Sequence, residues 1–116
     1  MKWSMKWAMK WQSFLLILLL AVTGQEAFAG GDENLVIIKD FKFIAQEITV
    51  KRGATVRWEN REKRQYHSVW FEALDEEEPD YIFPDEFYER AFPDVGSFPY
   101  RCGPHPEMTG VVHVTE

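Results

Sequence analysis

SFPYRCGPHPEMTGVVHVT, from Ser97 to Thr115, is the stretch on which the reading of this chain turns. Ser97–Arg101 and Gly110–Thr115 read as strands, the second with Val112 and Val114 on one face. Between them, Pro104 and Pro106 fix the backbone and remove two donors, so neither strand can run on through the gap. The result is a strand, a rigid loop and a closing strand. Along that loop a thiol, an imidazole and a thioether follow one another at three-residue intervals: Cys102, His105 and Met108.

The same rhythm extends upstream. Leu35–Lys39 is an apolar run followed by Phe41 and Phe43. Glu47–Val50 alternates, with Ile48 and Val50 on one face, and Lys51-Arg52-Gly53 makes a turn. Ala54–Asn60 places Val56 and Trp58 together, and His67–Phe71 does the same for Val69 and Phe71. Phe87–Phe92 is joined to Ser97–Arg101 by Pro93-Asp94-Val95-Gly96, which reads as a hairpin-like connection. Glu72–Asp85, acidic and broken by Pro79 and Pro84, reads as a long loop with at most a helical turn. Short strands at regular spacing, with no amphipathic helix after residue 30, predict an all-β Greek-key sandwich of about seven to eight strands.

Ahead of this domain stands a different kind of sequence. Residues 1–12 carry Lys2, Lys6 and Lys10 and no acid, in a Met-Lys-Trp quasi-repeat. The apolar run Phe14–Val22 and the small-x-small exit Ala27-Phe28-Ala29 follow. This is the pattern of a secretory signal peptide cleaved after Ala29, leaving a domain of residues 30–116. Nine apolar residues are too few for a spanning helix, which needs about 20, so no membrane insertion is expected after cleavage. An exported chain, periplasmic in a bacterium, meets oxidising conditions. Its one cysteine, Cys102, has no internal disulfide partner there and needs another occupation.

The whole chain has 13 basic and 19 acidic residues; without the leader's three lysines and Glu26 the balance is −8. Such a surface disfavours nucleic acid and anionic lipid and suits a basic protein partner. The acids Glu72, Asp75, Glu76, Glu77, Glu78 and Asp80 form a candidate docking patch whose alternative is a plain solvated loop.

Each chemical group at the loop has a bland reading when taken alone: Met108 as core, Cys102 as a small buried hydrophobe, His67 as a surface histidine. Taken together they are hard to dismiss. Three donors from one loop leave one corner unfilled, and His67, opening its own strand, can supply it from across the sandwich. Two imidazoles, one thiolate and a distant thioether make the trigonal site associated with blue copper. The third histidine, His113, falls opposite Val112 and Val114 on the outer face and reads as a surface residue.

These residues carry a family resemblance. Gly53-Ala-Thr-Val-Arg-Trp-Glu-Asn60 resembles the strand that leads to the first histidine in cupredoxins, and Tyr100–Met108 resembles their ligand loop. The plastocyanin, pseudoazurin and amicyanin branch is the most similar, and the short Cys-x-x-His-x-x-Met spacing is nearest to amicyanin. The resemblance covers Leu35–Glu116. It implies one type 1 copper with His67, Cys102 and His105 as equatorial ligands, the histidines through Nδ1, and Met108 as the weak axial ligand. It further implies a small monomeric electron carrier that passes electrons through the His105 edge between redox proteins, such as a basic cytochrome or a dehydrogenase.

Three departures stand out. Ser68 replaces the usual Asn after the first histidine, though its hydroxyl can still tie the two ligand segments together. Arg61–Gln65 is charged and lacks the common proline. Glu107 brings a carboxylate beside the exposed histidine. The competing functions are copper trafficking or storage with the same ligands, and a hydrolase with Cys102 as nucleophile, for which no oxyanion element or third orienting group is visible. Zinc could also occupy such a site.

Overall fold

A computed structural model describes residues 34–116. The expected signal peptide, residues 1–29, lies outside the described residues. Seven strands form: β1 Leu35–Lys39, β2 Lys42–Ile44, β3 Glu47–Lys51, β4 Thr55–Asn60, β5 Phe87–Ala91, β6 Gly96–Arg101 and β7 Thr109–Thr115. One sheet has the order β2-β1-β4-β5 and the other β3-β7-β6. Parallel pairing of β1 with β4 and of β3 with β7 sits among antiparallel neighbours. This is the predicted all-β Greek-key sandwich.

Alternation decides which side chains close the core. Val36 and Ile38 of β1, Val56 and Trp58 of β4, and Val112 and Val114 of β7 are all buried, each pair two residues apart along its strand. Trp58 is the largest of the fully buried side chains, and its Nε1–H donates to the Tyr100 hydroxyl at 3.1 Å. A buried indole N–H finds its acceptor in the phenolic oxygen this way. Burial pushes the Tyr100 phenol up to about 12. The Tyr100 ring lies over Gly110, its register partner on β7; a Cβ there would overlap the ring.

Two expectations need correction. His67–Phe71 is not a regular strand: His67 makes an isolated bridge to Ile82, and Trp70 one to Arg101. The segment passes from one partner to another within three residues, so no ladder develops along it. Val69 and Phe71 are nevertheless buried together, as their spacing implies. Nor is Pro93–Gly96 a hairpin. Its flanking strands β5 and β6 belong to different sheets, so it crosses between layers. Glu72–Asp85 is a long loop with one 3₁₀ turn at Glu72–Leu74.

Candidate metal centre

The site is built from three segments at one end of the sandwich. The first is the loop after β6. Cys102, fully buried, receives a closing bond from its own loop, since its N–H donates to the Met108 carbonyl at 2.9 Å. The Met108 N–H donates to the His105 carbonyl at 2.9 Å. Thiol, imidazole and thioether therefore hang from a loop that hydrogen-bonds to itself, stiffened by its two prolines. Met108 is buried and His105 half-buried.

The second segment carries His67, which is completely buried. Its backbone exchanges two hydrogen bonds with Ile82, at 3.1 and 2.7 Å. Asn60, at the end of β4 and also fully buried, holds the approach to it. Asn60 Nδ2 donates to the carbonyls of Gln65 (2.9 Å) and Ile82 (2.8 Å), while its Oδ1 accepts from the Glu62 N–H (2.8 Å). One amide side chain thus pairs with three backbone groups, the Ile82 carbonyl also accepting the His67 N–H. Next to His67, the Ser68 N–H points at Cys102 Sγ (3.5 Å), and the Ser68 hydroxyl accepts from the Gly103 N–H (2.8 Å). The tie across the ligand segments is made by the serine hydroxyl. A Cβ at Gly103 would displace the Glu78 carboxylate and crowd Ser68 Oγ, at 2.9 Å, so a side chain here would press on the tie.

The third segment is the β1–β2 turn with its neighbour Glu62. Glu62 Oε2 lies 2.8 Å from His67 Nε2 and also accepts the Phe41 N–H at 2.8 Å. With Nε2–H donating to this carboxylate, the Nδ1 lone pair of His67 faces the interior of the site. Burial opposes ionisation of Glu62, but the Phe41 N–H and His67 outweigh it and hold the carboxyl below its usual range. Burial likewise depresses His67, with the facing Glu62 working against that shift.

These segments converge. Cys102 Sγ lies 3.5 Å from His67 Nδ1 and 3.4 Å from His105 Nδ1, and the ligand atoms of the three residues all fall within 4.8 Å of one another. Among the described residues, this is the one cluster of three or more histidine, cysteine or acidic side chains able to hold a metal ion. The donor set fits copper: a soft thiolate with two imidazoles in a near-triangle. Burial pushes the Cys102 thiol up, against the pull of the Ser68 N–H, so binding a metal there releases a proton.

His113, as expected, is not part of it. Its Nδ1 meets Ser97 Oγ at 2.8 Å and its Nε2 meets Glu47 at 2.9 Å on the outer face of the β3-β7-β6 sheet. Sequence reasoning flagged the charged run Arg61–Gln65 only as a departure, and it passed over Asn60 and Phe41 as site residues. The signals available were an acid five residues before the first histidine and the asparagine that ends the strand leading to it.

Fold and site together define a copper-binding cupredoxin. A family model for copper-binding proteins of the plastocyanin/azurin family matches residues 32–115, and the chain belongs to that family. It is 30% identical to amicyanin of Paracoccus versutus over 102 residues, 82% of this chain and 77% of the relative. To amicyanin-alpha of Methylorubrum extorquens it is 37% identical over 94 residues, 78% and 76% of the two chains. A solved structure of an oxidised amicyanin variant superposes with a TM-score of 0.67 at 31% identity, covering 72% of this chain and 82% of that one. The reduced form of another amicyanin variant gives 0.64 at 33%, covering 69% and 79%. The chain binds one type 1 copper.

Proposed function

We propose that the protein is a small one-electron carrier whose copper is held by His67 Nδ1, His105 Nδ1 and Cys102 Sγ, with Met108 as a weak axial ligand. The observation that carries this reading is the convergence of the three donor atoms within 4.8 Å, on segments pinned by Ser68, Asn60 and Glu62. When bound, the copper supplies a one-electron couple. The protein's part is to hold the donors in one arrangement that suits both oxidation states, so that little must move when an electron does. Cys102 supplies the soft ligand from a fully buried position. His105, half-buried between Pro104 and Pro106, is the edge through which electrons leave.

The partners on this reading are redox proteins, met in the periplasm after cleavage of residues 1–29, with the carrier itself monomeric. Its acidic balance favours a basic partner such as a cytochrome. Within the acidic loop Glu72 is engaged by Arg101 and Glu76 by Arg90, which leaves Asp75, Glu77, Glu78 and Asp80 exposed as the docking patch on this reading. A hydrolytic role for Cys102 is disfavoured: a buried thiol whose pKa is pushed up is a poor nucleophile.

Addition of Cu(II) to the apo-protein, followed by a redox titration, tests the proposal. An intense blue thiolate-to-copper band that bleaches and returns reversibly with one electron supports it. A colourless protein that takes up only Cu(I) overturns it in favour of trafficking.

A further inference from the structure

The β1–β2 hairpin carries an unexplained residue. Lys39 pairs with Lys42, so Asp40 and Phe41 form a two-residue loop, and both have positive φ, 54° and 59°. Two-residue hairpins with positive φ at both central positions favour Asn-Gly or Asp-Gly, because a Cβ is unwelcome at the second position. Asp40 fits that preference and Phe41 does not. Four non-glycine residues have positive φ among the described residues, and the other three are all aspartates, a type that tolerates this region better than a bulky aromatic. The Phe41 ring is also 43% exposed, so burial does not account for it.

What the ring touches does. It meets both imidazoles of the site in T-shaped pairs, with centroids 5.4 Å from His67 at an interplanar angle of 90° and 4.9 Å from His105 at 81°. No other ring within the described contacts meets both histidines. Edge-to-face pairs of this kind are attractive and directional. Its backbone N–H meanwhile donates to Glu62, the carboxylate behind His67. Strained backbone that survives in a fold is a pointer to function. We propose that Phe41 is a positioning residue for the copper centre: the left-handed turn holds its ring against His67 and His105 and so limits the movement of both imidazoles.

This inference rests on the ligand reading above, and the experiment separates the two. Phe41→Gly removes the ring, relieves the turn and keeps the N–H that Glu62 accepts. Phe41→Tyr keeps the ring. The measurements are the apo-protein Tm, the rate at which a Cu(I) chelator strips copper from the reduced protein, and the reduction potential. Phe41→Gly is expected to leave the apo Tm equal or higher while copper is lost about tenfold faster, the scale on which residues supporting metal ligands act. Its potential shifts as well, and Phe41→Tyr restores both copper readouts. An unchanged loss rate and potential in Phe41→Gly overturns the inference, as does faster loss accompanied by a lower apo Tm, since that marks a merely structural residue. A wild-type protein that gives no blue band with Cu(II) overturns the ligand reading and this inference together.

Discussion

The two arms of the metal centre are built on different principles. The 102–108 loop carries its own order: Cys102 bonds to Met108, Met108 to His105, and two prolines restrict what lies between. The His67 arm has almost no internal order and is held from outside by Ile82, Asn60 and Glu62, and through Ser68 by Gly103. A self-ordered loop can be recognised and transplanted as a unit. An arm held from outside can be displaced by changing residues that never approach the ion, so the histidine it carries is the more vulnerable half of the site.

The sharpest break in that comparison comes from the loop itself. Cys102→Ala removes the sole thiol, and the blue band should vanish entirely while the apo fold persists, as read by the absorption spectrum and circular dichroism. On the other arm, Asn60→Ala leaves the Gln65 carbonyl and the Glu62 N–H without their side-chain partner and takes one of two donors from the Ile82 carbonyl. It should cost about 2 kcal/mol in urea unfolding of the apo-protein and slow the formation of the blue band. The blue band and apo stability thus separate for Cys102 but are impaired together for Asn60.

Ser68→Ala tests the bond between the arms. Loss of the Gly103 N–H acceptor should lower stability by about 1 kcal/mol and shift the blue band, whereas Ser68→Asn should restore the tie by another side chain. The smallest effect is expected outside the ligand set, at Glu76. Hydrogen bonding to Arg90 holds that carboxyl below its usual range. A depressed folded-state pKa gives stabilisation that is present above the unfolded-state value and lost as pH falls through the folded one. Glu76→Gln should therefore cost under about 1 kcal/mol at pH 7 and flatten the loss of stability below about pH 4.3, measured by denaturation across pH.

The same contrast explains what could be read from the sequence. Strands with one buried face announce themselves by alternation, so Val56 and Trp58, and Val112 and Val114, found their places, whereas Leu35–Lys39 read only as an apolar run. The ligand loop was legible for the same reason: its order is local. His67 was legible only as a histidine of the right kind in the right region. The structure gives it single bridges in place of the expected strand, because its neighbours change partner within three residues. Pro93–Gly96 misled because a hairpin and a crossover between sheets use the same turn residues. Glu62 and Phe41 stayed hidden because neither is unusual in composition. Glu62 lies only five residues before His67 but inside a charged run that reads as surface, and Phe41 acts from a turn more than twenty residues before His67 folding back onto it, a contact no local pattern encodes.

The central claim is that both arms deliver their donors to one ion. The most direct measurement is anomalous scattering at the copper edge from crystals of the Cu(II)-loaded protein. The account predicts a single peak bonded by Cys102 Sγ and by Nδ1 of both His67 and His105, with Met108 Sδ further off. Copper bound without His67, through Nε2 of either histidine, or at another place in the molecule would contradict it.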